Sequence, residues 1–149
     1  MEFPGKFDEA TVEVVQVGID RYFAEDYVSA LHILVPQLED AIRRILAILG
    51  VATTSFRDGV TQEKTLDSVL STAELRQTLG EDLTTYLQYL LVGQRADNLR
   101  NKVAHGLVKK PGCSREVTQQ ILHCYVLLAN FAVTGPENLP RASTPSGRE

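Results

Sequence analysis

The stretch LHILVPQLEDAIRRILAIL, from Leu31 to Leu49, decides the fold. Its apolar residues recur every three or four positions over several turns, a pattern typical of an amphipathic helix. Asp26 precedes the stretch and is expected to cap the helix. Gly50 follows it, where a residue with a left-handed backbone commonly ends a helix. Pro36 lies inside and removes one backbone hydrogen bond, so we expect a kink there.

Further helical segments flank this central helix. Apolar spacing predicts a first helix from Asp8 to about Ala24, and a last long helix that Ser114 caps and Gly135-Pro136 ends. Four shorter helices are predicted between them. They are expected to run from Thr65 to Leu70, from Ser71 or Thr72 to just before Gly80, from Glu81 to Val92, and from a cap at Asp97 or Asn98 to His105, where Gly106 ends the last of them.

No segment alternates apolar and polar residues for long enough to be a convincing strand. Residues Val51 to Lys64 are therefore predicted to form a loop with a turn at Asp58-Gly59. Because the amphipathic helices can bury their apolar stripes only against each other, we expect an all-α helical bundle. We assign residues 1–135 to this helical domain and interpret the polar, proline-containing segment 136–149 as a disordered tail.

The composition narrows the class of protein. The chain has 149 residues, of which 44% are hydrophobic and 23% charged, which suits one globular domain and excludes a disordered chain. No apolar stretch is long enough to span a membrane, and the N-terminus lacks a secretory signal pattern. Cys113 and Cys124 provide neither a disulfide framework nor the spacing of a zinc site. We therefore expect a cytoplasmic protein with no metal and no cofactor.

The charge is unevenly distributed. A net charge of −4 gives no general reason to bind nucleic acid. However, the segment from Arg95 to Arg115 carries six basic residues against one acid, Asp97, and so predicts a local cationic patch. A solvated surface without a ligand is the alternative interpretation of such a run.

One polar cluster within this patch combines residue types that suit chemistry on phosphate. Asn101 and His105 are four residues apart and share a helix face, and the long Arg100 side chain can reach the same pocket. Histidine serves as a general acid or base, and arginine binds phosphate oxygens in pairs. Metal-free RNA cleavage needs both groups, and a two-fold dimer would supply a second histidine. The alternative is that Asn101 and His105 only cap a helix end.

The same residues resemble the HEPN superfamily of helical ribonucleases and RNA-binding domains. Arg100-Asn101-x-x-x-His105 matches its R-x4-H signature, and the longer string from Asn98 to Leu107 is similar to one branch of the superfamily. That branch includes uncharacterised bacterial domains and the endoplasmic-reticulum-membrane-associated RNA degradation protein. Its upstream helix carries a pattern like Pro36-Gln-Leu-Glu-x-x-x-Arg43.

The resemblance implies a four- to five-helix bundle and a homodimer whose two motifs face a shared cleft. It also implies a metal-independent endoribonuclease that leaves a 2′,3′-cyclic phosphate, with Arg100 and His105 as the catalytic residues. The supporting or RNA-binding candidates are Asn101, Lys102, Glu39 and Arg43. For Glu39 and Arg43, a solvated helix flank is the alternative interpretation.

Members of this superfamily work in toxin–antitoxin, phage-defence and RNA-processing systems, and some have lost catalysis. The expected partners are therefore RNA, a second copy of the chain, and an antitoxin or another protein. The alternative functions are a non-catalytic dimerisation or interaction domain, and a nucleotide-binding domain, of a larger protein.

Overall fold

The computed structural model describes residues 8–57, 59–93 and 98–131, and over these ranges the chain is mostly α-helical. The helices in these ranges are α1 (Glu9–Phe23), α2 (Tyr27–Ile48), α3 (Leu66–Leu70), α4 (Ala73–Leu79), α5 (Glu81–Leu91), α6 (Leu99–Ala104) and α7 (Arg115–Ala129). The predicted all-α class is confirmed. Short elements raise the number of helices above the four or five that the resemblance implied, since α3, α4 and α6 have five, seven and six residues.

Helix α2 is the centre of the bundle, and α1, α3, α4, α6 and α7 all pack against it. The Asp26 carboxylate accepts a hydrogen bond from the Ser29 N–H at 3.2 Å, which confirms the predicted cap. Gly50 adopts the expected left-handed backbone, with φ of 76°, after the helix ends. The helix runs continuously through Pro36. Its apolar stripe is buried as the periodicity predicted, at Leu31, Leu34, Leu38, Ile42, Ile45 and Leu46.

Helices α1 and α7 are fixed to α2 by two close contacts at Leu34. Gly18 of α1 lies so near that a Cβ atom there would be 2.7 Å from Cγ and Cδ2 of Leu34. The hydroxyl of Tyr125 on α7 donates to the Leu34 carbonyl at 2.7 Å. The glycine that weakens α1 as an isolated helix therefore allows the close approach of two helices.

The predicted loop between α2 and α3 contains a small antiparallel sheet, so the prediction of no strand was wrong. Strands β1 (Thr54–Arg57) and β2 (Val60–Glu63) pair with Phe56 opposite Thr61. All four residues of β2 are exposed, as are Thr54, Ser55 and Phe56 of β1, so these residues form no buried alternating face that the sequence could reveal. Gly59 has φ of 79°, as the predicted turn requires.

Three other sequence predictions concern boundaries and location. Helix α7 ends at Ala129 rather than at Gly135-Pro136. The tail 136–149 and the Asp97 cap lie outside the described residues. Within the described ranges, no helix has the length and apolar character needed to cross a membrane.

Candidate active site

The short helix α6 carries the R-x4-H motif, and backbone geometry sets both of its ends. Asn98 precedes it with a left-handed backbone, φ of 39°, and its side chain makes no capping hydrogen bond. Gly106 follows with φ of 64°, and the Leu107 N–H donates to the Lys102 carbonyl at 2.7 Å. These are the features of a Schellman motif, so the predicted stop at Gly106 is confirmed. His105 is the C-cap residue within this turn.

The buried residues of α6 determine where its polar side chains lie. Leu99 and Val103, four positions apart, are buried in the core, and the helix packs on α2 and α5. This orientation brings Arg100 against α2, whereas Asn101 and Lys102 are exposed. The helix therefore presents its arginine to a neighbouring helix and its other polar residues to solvent.

Arg100 and Arg43 both donate hydrogen bonds to the carboxylate of Glu39. From Arg100, Nε donates to Oε2 at 2.7 Å and Nη2 to Oε1 at 3.3 Å. From Arg43, Nη2 and Nε donate to Oε1 at 2.7 and 3.2 Å. Arg43 Nη2 also donates to the Lys64 carbonyl at 2.9 Å, and Arg100 Nη1 to Asn101 Oδ1 at 3.1 Å. We call Arg43, Glu39 and Arg100 the Arg–Glu–Arg triad.

The triad is largely buried. The side chains of Glu39, Arg43 and Arg100 are 13%, 14% and 34% exposed, so Glu39 and Arg43 are not a solvated flank. Burial alone would raise the pKa of Glu39, but hydrogen bonds from Arg100 and Arg43 outweigh it and hold that pKa below its ordinary value. The hydrogen bond to Glu39 raises the pKa of Arg100. All three groups are therefore charged, and the triad carries one net positive charge.

Arg100 lies between two cavities. The larger, of about 610 Å³, is bordered by α2, α3, the end of β2 and the start of α6. Its charged lining residues are the cations Arg43, Lys64 and Arg100 and the acids Glu63 and Asp67, and its uncharged polar lining includes Thr65, Asn98 and Asn101. The smaller, of about 170 Å³, lies between α2 and α6, with Glu39 and Arg100 in its wall. Arg100 is thus both fixed in orientation and open to a ligand.

Two buried polar atoms near the larger cavity have no hydrogen-bond partner among the described residues. They are Nη1 of Arg43 and Oδ1 of Asn98. Such atoms are costly, because burial removes their bonds to water without replacing them. The site therefore contains two buried polar groups whose lost hydrogen bonds lower the stability of the fold.

The six predicted site residues divide into two sets. Glu39, Arg43, Arg100 and Asn101 come together around the triad. His105 is exposed at the end of α6 and lines neither of the two cavities that Arg100 lines. Lys102 lines a separate cleft. That Arg100 and His105 act in one pocket stays a prediction.

The other two histidines take part in local contacts. His32 is exposed on α2, where its Nδ1 lies 2.8 Å from the Val28 carbonyl. His123 on α7 packs edge-on against Tyr86, with ring centroids 6.2 Å apart. Among the described residues, no three His, Cys, Asp or Glu side chains are grouped closely enough to hold a metal ion.

Sequence reasoning missed two residues of the site, Lys64 and Asn98. Lys64 closes the predicted loop and contributes its carbonyl to Arg43, and its Nζ donates to the Ala52 carbonyl at 2.7 Å. Asn98 was expected to cap α6, but it lines the larger cavity instead. Every residue type has a backbone carbonyl, so nothing in the sequence indicated that the Lys64 carbonyl would contact Arg43.

Comparison of the chain with protein-family models, curated proteins and solved structures finds no match. The relation to the HEPN superfamily stays a prediction that rests on the motif residues from Asn98 to Leu107 and on the upstream helix.

Proposed function

We propose that this chain is a cytoplasmic, metal-independent endoribonuclease of the HEPN type, working in RNA processing, toxin action or phage defence. One observation carries the proposal. Arg100 is held beside an open polar cavity by Glu39, and the same short helix ends in an exposed histidine, His105. The expected partners are RNA, a second copy of the chain, and an antitoxin or another protein that restrains the activity.

Arg100 is suited to stabilising a phosphate whose charge increases during the reaction. A guanidinium has five N–H groups, and the contacts to Glu39 and Asn101 use three of them. The remaining two can donate to phosphate oxygens. Because Glu39 already fixes the orientation of the guanidinium, little reorganisation is needed when the transition state forms. Arg43 offsets the negative charge of Glu39, which would otherwise repel the phosphate. The cavity lining also includes the acids Glu63 and Asp67 beside the cations Lys64 and Arg100.

His105 is suited to moving protons. In the proposed reaction one histidine removes the proton of the ribose 2′-hydroxyl, whose oxygen attacks phosphorus. The bond from phosphorus to the 5′-oxygen breaks, and a second acid protonates that leaving oxygen. The products are a 2′,3′-cyclic phosphate and a free 5′-hydroxyl. Since His105 does not line the Arg100 cavities of its own chain, we place the reaction in a cleft between two copies.

A non-catalytic interaction domain is the second candidate, and one observation favours it. Every contact of the Arg–Glu–Arg triad also serves stability, because the triad joins α2, α6 and the segment after β2. A group of ion pairs that only stabilises the fold needs no substrate. In that case His105 would be a surface residue at a helix end.

Cleavage of a labelled structured RNA in EDTA separates the two candidates. Wild type should cleave, and His105→Ala and Arg100→Lys should each lose about 100-fold or more in rate, as expected for one general acid–base group or one stabilising donor. His32→Ala is the matched control and should cleave like wild type. Circular dichroism and light scattering verify folding and oligomeric state. A folded dimer that does not cleave would favour the interaction domain, and equal cleavage by all four proteins would refute Arg100 and His105 as the catalytic residues.

A further inference from the structure

A third cavity lies immediately beside His105, in the turn between α6 and α7. It has a volume of about 240 Å³. Its walls and rim include Leu99, Leu107, Val108, Val117, Lys102 and Lys109. We call it the lysine-rimmed cleft. Its walls are aliphatic, and its two charged lining residues are lysines.

The backbone ties this cleft to the motif histidine. Lys102 and Leu107 precede and follow His105 by three and two positions, and a 2.7 Å hydrogen bond joins their backbones. His105 therefore sits inside a closed turn whose two ends line the cleft.

The lysines around the cleft have no ion-pair partner in the described part of the chain. Residues 98–115 include five basic side chains, and the acidic residues Asp97 and Glu116 flank this segment. Among the described residues, Arg100 is in an ion pair and Arg115 interacts with Glu116, whereas Lys102, Lys109 and Lys110 are in no ion pair. Lys102 and Lys109 are exposed. On a chain with net charge −4, this concentration of free cations attracts an anionic ligand to one place.

The cleft also presents apolar surface to solvent. Leu107 is 61% exposed, although the residue at its position in a Schellman motif usually packs on the preceding turn. Exposed aliphatic surface beside free lysines suits a ligand that joins a flat apolar group to flanking anions. An unstacked nucleobase between two phosphates has that chemistry. Pockets for drug-sized ligands start at roughly 300 Å³, so this cleft accommodates about one base.

We propose that the lysine-rimmed cleft holds one unstacked base of single-stranded RNA, with the adjoining phosphates on Lys102 and Lys109. The link between this subsite and strand cleavage rests on the proposed function, whereas binding of the base does not. The aliphatic walls contact the face of a base and offer no side-chain hydrogen bonds to its edge. The cleft therefore selects single strands over duplexes more than it selects one base over another.

Fluorescence anisotropy with a labelled single-stranded RNA octamer and its duplex tests this proposal, in the full chain carrying His105→Ala to prevent cleavage. The single strand should bind more tightly than the duplex. Leu107→Ser should weaken that binding about tenfold, because it removes exposed aliphatic surface that contacts the base. Replacing both Lys102 and Lys109 by Ala should reduce the slope of log affinity against log salt by about 1.4, since each single-strand phosphate contact contributes about 0.7. The controls Val126→Ser and Arg21→Ala alter an exposed apolar and an exposed cationic residue outside the cleft and should bind like the parent.

The outcomes separate this proposal from the ribonuclease proposal. If wild type cleaves RNA, but the Leu107 and lysine substitutions change neither RNA binding in the His105→Ala background nor cleavage when made in wild type, the subsite is refuted and the ribonuclease stands. If RNA binds with the predicted dependence on Leu107 and the lysines but is never cleaved, the subsite stands alone. If a labelled acidic peptide of alternating Glu and Leu binds through Leu107 and displaces the RNA at lower concentration, the cleft docks protein and the base subsite is overturned.

Discussion

Replacing Glu39 by Gln tests whether the Arg–Glu–Arg triad is one mutually dependent unit. Glu39 accepts two hydrogen bonds from Arg43 and two from Arg100. Gln preserves the shape of the side chain but removes its charge, so two guanidinium groups lose their counter-ion. Removing one partner of a fully buried ion pair costs about 3–5 kcal/mol of unfolding free energy. Because Arg100 is partly exposed, we expect a loss of about 3 kcal/mol.

Two further variants calibrate this value. Asp40→Asn alters the next residue along α2, which pairs with Arg44 at the same spacing of four but with side chains 44% and 37% exposed. It should cost less than about 0.5 kcal/mol, as exposed pairs do. Arg100→Gln leaves Glu39 paired with Arg43 and should cost about 1–2 kcal/mol.

Urea unfolding followed by circular dichroism gives all three free energies, provided that the dependence on urea is unchanged among the variants. The expected order of destabilisation is Glu39→Gln, then Arg100→Gln, then Asp40→Asn. If Glu39→Gln costs no more than Asp40→Asn, the triad is a solvated surface cluster. The reasoning that Glu39 fixes the orientation of Arg100 would then be refuted.

Three other predictions use the same protein and readily available assays. Gly18→Ala should destabilise the fold by about 1–3 kcal/mol in urea, because the added methyl group meets Leu34 at 2.7 Å; a gain in stability would disprove the close approach. Glu25→Gly should stabilise it by about 1 kcal/mol and raise the melting temperature, because Glu25 occupies a left-handed backbone with φ of 60°; an unchanged or lower value would count against strain there. Glu39 has a lowered pKa, so its contribution to stability is complete above the ordinary value of 4.5 and is lost as pH falls through the lowered one. Acid titration should therefore destabilise wild type more steeply than Glu39→Gln, and parallel curves would contradict the ion pairing.

The long amphipathic helices could be predicted from the sequence because their buried residues recur every three or four positions along the chain. The apolar positions of α2 and its boundaries at Asp26 and Gly50 follow from spacing and capping alone. The exposed hairpin could not be predicted, because strands of four residues without a buried face carry no periodic signal. The role of Gly18 in the close packing of α1 on α2 could not be predicted either, since it depends on Leu34 of another helix.

The candidate site was predictable in its residue types but not in its pairing. The sequence placed Glu39 four residues before Arg43 as supporting candidates, with a solvated helix flank as the alternative interpretation. The decisive contact, from Arg100 to Glu39, spans 61 residues and depends on how α6 packs against α2. The expectation that His105 shares a pocket with Arg100 stays a prediction, and the structure shows His105 exposed at the C-cap of α6. Long-range geometry of this kind cannot be read from a local pattern.

The most direct test of the central proposal uses two RNA oligonucleotides in EDTA, one all-ribose and one with 2′-deoxyribose at each cleavage site mapped on the first. Wild type should cleave the first, leave the second intact, and produce 2′,3′-cyclic phosphate ends; His105→Ala should cleave neither. Cleavage of the deoxy-substituted sites, or cleavage that persists in His105→Ala, would contradict a mechanism in which this histidine activates the 2′-hydroxyl.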